Sequence, residues 1–392
     1  WGYVMIGVGV GSGILGVLYA MAQRDVKRLL AYHSVENIGI IALGIGLGLL
    51  GVTYDQPVLA AVGFSGALLH VVNHALFKGL LFLGAGAVYQ ATGTRQIDRL
   101  GGLLKTMPWT GVMFLIGAVA ISGLPPLNGF VSEFMVYYGA WIACMNSARI
   151  SIWASLAVVA GLGLIGGLAA ACFTKVFGIM FLGEPRAALE RPGREAGRRM
   201  LVPMGCLCAC CILIGVLAPL ALRLVIPAAV VASGGMSSTP HSLASVFGIL
   251  NGVAGTVLIV VALIGLMAWI RKRLLRNRVV RIAGTWDCGY AAPSVRMQYT
   301  AASYAHPIMR LFGNLLGTKV HAELPEGLFP AKGAWHEETD DRFMVRWFVP
   351  LFVKVRNAME RLVWIQHGQL QGYILYVALT LLALIIWYAF TA

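Results

Sequence analysis

Three ionisable side chains, His70, His74 and Lys78, stand at i, i+4 and i+8 inside the apolar run His70-Val-Val-Asn-His74-Ala-Leu-Phe-Lys78. Further along, Glu133 follows Gly123-Leu-Pro-Pro-Leu-Asn-Gly-Phe-Val-Ser, an apolar run interrupted by Pro125, Pro126 and Gly129. A lysine or acid at the centre of a membrane helix costs about 2.5–3.5 kcal/mol on insertion scales, so such groups face a protein interior or a water path. The chemistry these types supply is proton relay, because histidine titrates near neutrality and exchanges protons through either ring nitrogen. Positions i to i+8 rise about 12 Å along a helix, in steps of about 6 Å. Those steps are too long for a direct hop, so water must bridge them. Glu133, beyond the break, would stabilise a proton leaving the column.

His33 and Glu36 form a second pair, three apart on one helical face, and Lys27 precedes them. Each group also has a plain structural reading. His70 serves equally as a hydrogen-bonded core histidine, His33 and Glu36 as a local pair, and Lys27 with Arg24 and Arg28 as topology anchors. His70 and His74 have metal-ligand spacing, but no third ligand stands near them.

The elements that must position these residues are membrane helices. Of 392 residues, 59% are hydrophobic and 12% charged, against about 45–50% and about 25% in soluble domains. Several apolar runs exceed the roughly 18–20 residues that cross a bilayer. They do not alternate as barrel strands do, so the spans are helices. Eight are read: about 1–22, 30–52, 58–89, 108–145 (broken at Pro125–Gly129), 153–182, 200–222, 243–270 and 369–391. Two adjacent prolines break the fourth, since proline lacks the amide proton and clashes with the preceding turn. Such a break is tolerated at membrane depth only where it is buried or lines a cavity. Lys175 on the fifth span is expected to snorkel to the nearby end.

The net charge of +14 sits between the spans, as the positive-inside rule requires, and not on a nucleic-acid-binding face. Basic clusters follow spans one (Arg24, Lys27, Arg28), three (Arg95, Arg99, Lys105), five (Arg186, Arg191, Arg194, Arg198, Arg199) and seven (Arg271, Lys272, Arg273, Arg276, Arg278, Arg281). After spans two, four and six only Arg149 and Arg223 occur. The asymmetry supports the span count and puts the basic loops in the cytoplasm. Both chain ends then face outward. Residues 282–340 read as a mixed polar region. Residues 341–364 read as an amphipathic helix at the membrane interface, with Phe343, Trp347, Phe348, Leu351, Phe352, Val355, Met359 and Leu362 on its apolar face. Cys206, Cys208, Cys210 and Cys211 read as small helix-packing residues. Gly7, Gly9, Gly11, Gly13 and Gly16 read as close helix packing, because no strand precedes them. Trp1 already lies inside an apolar run, as expected of a chain missing its N-terminal part.

Three stretches resemble motifs of the antiporter-like subunits of respiratory complex I, multi-subunit cation/proton antiporters and membrane-bound hydrogenases. They are Asp25-Val-Lys-Arg-Leu-Leu-Ala-Tyr-His-Ser-Val-Glu-Asn-Ile-Gly39, His74-Ala-Leu-Phe-Lys78-Gly-Leu-Leu-Phe-Leu and Gly123-Leu-Pro-Pro-Leu-Asn-Gly-Phe-Val-Ser-Glu133-Phe. The tail, Thr285-Trp-Asp-Cys-Gly-Tyr290 and Arg296-Met-Gln-Tyr-Thr300, is similar to the large membrane subunit of hydrogenase-4 and formate hydrogenlyase-type complexes. The resemblance implies two inverted five-helix repeats, each with one broken helix, of which this chain holds the second plus extra C-terminal helices. The first repeat would supply further entry-side ionisable groups. On the motifs, the family's central histidine falls on His74, its lysine on Lys78 and its broken-helix acid or lysine on Glu133. His70 has a histidine counterpart in some members. Others place a histidine where this chain has Asn37, beside Glu36.

The expected architecture is an all-α polytopic membrane protein of about eight transmembrane helices. It divides into the repeat with the broken helix (1–182), two further spans (183–270), a cytoplasmic polar region with the interfacial helix (271–366) and a last span (367–392). The expected function is proton translocation within a multi-subunit redox complex through His74, Lys78, Glu133, His70, Glu36, His33 and Lys27. The alternatives are a sodium/proton antiporter subunit without redox coupling and a structural anchor with an inactive channel. No cofactor is expected in this chain, and nickel–iron and iron–sulfur centres are expected in partner subunits. Expected partners are other membrane subunits, cytoplasmic-side redox subunits and lipid, with no nucleic acid. The expected location is the inner membrane of a bacterium or archaeon.

Overall fold

The computed structural model describes residues 1–146, 150–189, 191, 193–235, 244–279, 288–289, 292, 294–323, 327, 333–363 and 368–391. Arg149, Arg281 and most of Thr285–Tyr290 lie outside the described residues. The chain divides into two units, Trp1–Glu338 and Thr339–Ala392.

The first unit opens with α1 (Gly2–Ala22) and α2 (Val26–Thr53). Asp25 caps α2, its carboxylate accepting from the amides of Lys27 (2.9 Å) and Arg28 (3.1 Å), which satisfies two of the orphan donors of the first turn. The two helices pack through glycines: a Cβ on Gly39 would meet the backbone of Gly9 and Gly13. Gly9, Gly13 and Gly16 are thus packing positions as expected, whereas a Cβ on Gly7 or Gly11 would meet nothing within 4 Å, so those two are not. α3 (Pro57–Thr92) starts on a proline, and Gly93 (φ 79°) ends it in the left-handed region.

A one-turn α4 (Leu103–Thr106) leads to α5 (Pro108–Ile121), and α6 (Asn128–Met145) resumes after the Pro125–Pro126 break. The fourth expected span is therefore two half-helices. α7 (Ile152–Phe181) closes the expected repeat. α8 (Arg198–Val216) then stops short of the expected 222, and α9 (Ala218–Ala232) follows at once. The reason is Pro219, in the first turn of α9, which cannot continue the ladder of α8 but suits a helix start. α10 (Ala244–Leu274) is apolar, and beyond Leu250 none of its side chains is buried.

The region read as mixed polar holds more order than expected. α11 (Ala301–Leu316) begins with a reciprocal Thr300–Ser303 capping box and packs Ala301, Ala305, Met309 and Leu316 onto the core shared with α1 and α7. Strands β1 (Lys319–Glu323) and β2 (Ala334–Glu338) pair antiparallel, Lys319 opposite Glu338. The second unit contains a π-helical turn, Met344–Phe348, running into α12 (Val349–Glu360), and α13 (Leu370–Thr391).

Seven described helices (α1, α2, α3, α7, α8, α10 and α13) are long and apolar enough to cross a membrane. With the split α5–α6 span they match the eight expected. The chain is a multi-pass, mainly helical membrane protein.

Hydrogen bonds sort the connections into two ends. At one end, Val26 N donates to Arg95 O (3.0 Å), Ile97 N to Arg24 O (2.9 Å) and Gly102 N to Leu182 O (2.9 Å). Ala301 N donates to Asp98 (2.6 Å), and Lys105 pairs with Glu184 (2.6 Å). The connections after α1, α3 and α7 and the segment entering α11 therefore meet. At the other end Tyr3 Oη lies 3.3 Å from Tyr54 Oη and accepts from Ser151 N (3.2 Å). This is the alternation read from the basic residues.

Single cysteines at Gln96 and Asp55, in a background with the native cysteines replaced, should react with an impermeant maleimide from opposite membrane faces. Labelling of both from one face would contradict the topology.

Candidate functional site

α2 and α3 run antiparallel, and polar groups accumulate along their seam. At the basic end the Lys27 ammonium lies 5.4 Å from the centre of the Tyr89 ring. One turn on, Lys78 donates to the carbonyl of Leu30 and sits 5.7 Å from the Phe82 ring. One turn further, His33 Nδ1 pairs with the Glu36 carboxylate, both residues having almost no exposed surface. Lys78 and Glu36 are close enough for their charges to interact.

Beyond Glu36 the seam becomes a hydrogen-bonded chain with assignable direction. Asn37 Nδ2 donates to His33 O (2.7 Å), which leaves Asn37 Oδ1 to face His70 Nε2 at 3.1 Å. An amide oxygen only accepts, so His70 Nε2 carries a hydrogen. In the neutral ring His70 Nδ1 must then accept, and Ser132 Oγ lies 2.9 Å from it. Ser132 Oγ is also 3.1 Å from Gly129 O and accepts from Asn73 Nδ2 at 2.9 Å. If His70 gains a second proton, Nδ1 donates to Ser132 Oγ and the hydroxyl turns its hydrogen to Gly129 O. Both charge states of His70 therefore have a full set of partners without moving a heavy atom.

Asn73 and Asn128 tie this chain to the helix break. Asn73 Nδ2 donates to Asn128 O (2.7 Å), and Asn128 Nδ2 donates to Asn73 Oδ1 (3.2 Å). One turn of α6 carries Asn128, Gly129, Ser132 and Glu133, all buried. Gly123, in the break, has φ 62°, and a Cβ there would meet the Glu133 carboxylate. A Cβ on Gly129 would meet Ala120 O, the end of α5. The two glycines thus let the half-helices close on each other and let Glu133 lie against the break.

The His70/His74/Lys78 column is only partly retained. His70 and Lys78 are buried, whereas His74 is half-buried and makes its ring contact with Phe77 at 5.8 Å. Eight residues of a helix turn through about 800°, so a four-residue column drifts by about 80°, and the inward positions between its ends go to Asn73 and Phe77. His74 Nε2 is buried without a protein partner. Lys27 stays at the basic end, half-buried, with the topology residues. Lys175 departs from the expected snorkelling: it has no exposed surface and donates to Met21 O (2.6 Å) and Gln23 O (3.2 Å).

Asn73, Asn128 and Ser132 were passed over in the sequence because they carry no charge. Their signal was present: each lies within five residues of His70 or Glu133 in a run with few other polar groups.

With this geometry in hand, the chain can be set beside known proteins. Residues 1–160 match the family NADH:quinone oxidoreductase/Mrp antiporter, TM. The resemblance read from the three motifs holds. The chain is 34% identical over 405 residues to hydrogenase-4 component B of Escherichia coli (strain K12), covering 98% of this chain and 59% of that protein. It is 40% identical over 219 residues to formate hydrogenlyase subunit 3 of the same organism, covering 56% of this chain and 36% of that one. It thus spans little more than half the length of the first of these relatives. In fold it is similar to a chain of the membrane-bound sulfane sulfur reductase, an archaeal respiratory membrane complex, with TM-score 0.60 and 22% identity over 98% of this chain and 56% of that one.

Replacing Ser132 by alanine leaves His70 Nδ1 without its hydroxyl partner and removes an acceptor from Asn73. The expected cost is about 1–3 kcal/mol, read as a lower unfolding temperature in detergent. An unchanged unfolding temperature would contradict the network.

Proposed function

We propose that this chain is a proton-translocating membrane subunit of a multi-subunit redox complex of the membrane-bound hydrogenase, formate hydrogenlyase or complex I-like kind. The observation that carries the reading is the run of buried polar groups along α2 and α3, Lys78, His33, Glu36, Asn37 and His70, which meets Ser132 near the break that Glu133 lies against. A structural anchor has no need of it: each buried ion costs about 2.5–3.5 kcal/mol, and Glu36, Lys78 and Glu133 are at most 7% exposed.

In this reading the His33–Glu36 pair and Lys78 exchange protons at the basic end of the seam. His70 takes up and releases a proton at Nδ1 while Ser132 turns between donor and acceptor, and water carries the proton to the ring and on from it. Glu133 takes the proton at the break, where the half-helices leave backbone groups unpaired and water can enter. The direction of movement is set by redox partners, which dock at the basic, cytoplasmic end and carry the nickel–iron and iron–sulfur centres. Other membrane subunits and lipid cover the exposed apolar helices. The membrane is the inner membrane of a bacterium or archaeon. The Mrp antiporter part of the family description supports one second reading, sodium/proton exchange without redox coupling.

The test is proton translocation by the whole complex in liposomes. Glu133→Gln and Lys78→Ala should each lower protons moved per electron about tenfold, equivalent to about 1.4 kcal/mol, with the complex still assembled. Undiminished translocation in both would overturn the reading. Sodium-dependent proton exchange with no electron donor would favour the antiporter.

A further inference from the structure

Lys175 of α7 lies between two features that its capping role leaves unexplained. Its two carbonyl partners, Met21 O and Gln23 O, are end-of-helix acceptors of α1 that need a donor. An ammonium has three N–H donors, so one remains. On one side Lys175 lines a partly open cavity of about 370 Å³ with Thr174, Gly178, Arg186, Tyr299 and Tyr304. That volume admits roughly ten waters at about 30 Å³ each. Arg186 Nη2, also at this cavity, is buried without a protein partner, a donor that cavity water satisfies. On the other side of α7, Phe173, two residues before Lys175, is buried, and its ring stands 4.7 Å from the His33 imidazole. His33 Nδ1 is held by Glu36, while its Nε2 is buried with no protein partner.

We propose that Lys175 is the proton-loading residue between water at the basic end and the buried seam. The ammonium releases its third proton towards His33 Nε2, and a proton relayed from the bulk through the cavity water recharges the amine, which needs a brief opening because Lys175 has no exposed surface. Two N–H groups remain in either state, so the bonds to Met21 O and Gln23 O persist throughout. Water carries the proton across the gap between α7 and His33. The inference rests on the proposed function and adds an entry branch that joins the seam from α7.

Two substitutions in the whole reconstituted complex test it. Lys175→Arg keeps the charge and donors for both carbonyls but does not release a proton near neutrality. Gly178→Phe leaves Lys175 untouched and fills the cavity, since nothing lies within 4 Å of a Cβ at Gly178. Each should lower protons moved per electron about tenfold while leaving assembly and unfolding temperature unchanged. Full translocation in both, where Glu133→Gln abolishes it, would make Lys175 only the cap of α1 and overturn the inference alone. Full translocation in Glu133→Gln and Lys78→Ala as well would overturn the proposed function and this inference with it.

Discussion

The clamp on His70 is the interaction on which the site depends. One imidazole on α3 is held by Asn37 from α2 and Ser132 from α6. Three helices therefore register on one ring. Asn37 is itself oriented by His33 O, so the hydrogen on His70 Nε2 is dictated by the backbone of α2. A buried polar network of this kind specifies an arrangement strongly when every member is satisfied and is costly when one is not. Unsatisfied atoms among the described residues include His33 Nε2 and His74 Nε2 beside the clamp and Asn128 Oδ1 at the end of the network that reaches the break. Those are the positions where exchangeable water has a use.

The helix break supplies the second requirement. A continuous helix at α5–α6 would pair its backbone internally and offer nothing to a proton. Pro125 and Pro126 prevent that. Gly123 and Gly129 keep the gap narrow enough for Glu133 to sit against it. Gly215 of α8 packs on the carbonyl of Pro126. A helix beyond the repeat, α8, thus packs on the break at Pro126, while Leu124 and Pro125 stay exposed.

Much of this was legible in the sequence. Apolar length and basic-residue asymmetry read the spans and their alternation, because lipid leaves helices few alternatives. Pro125–Pro126 announced the break, because proline's effect is local. What was not legible depends on rotation and tertiary contact. Spacing alone put His74 in line with His70 and Lys78, but helical drift gave the inward place to Asn73. Lys175 stood near a span end and read as snorkelling, since nothing local reveals that two α1 carbonyls wait beside it. Pro219 was visible, yet the sixth span reads through it to about 222, and the helix it starts, α9, is not read. The capping box of α11 was likewise present at Thr300–Ser303 but lay in a region too polar to read as helix. Asn37, noted only as a departure from the family's histidine, turns out to orient the central imidazole.

The central claim is that Glu133 gains and loses a proton as the complex turns over. Infrared difference spectroscopy of the reconstituted complex during turnover examines that directly. A protonated-carboxyl band should rise and decay with turnover, shift on deuterium exchange, and be missing when Glu133 is replaced by glutamine. A carboxyl region that stays flat during active turnover, or a band that persists in that variant, would contradict the claim.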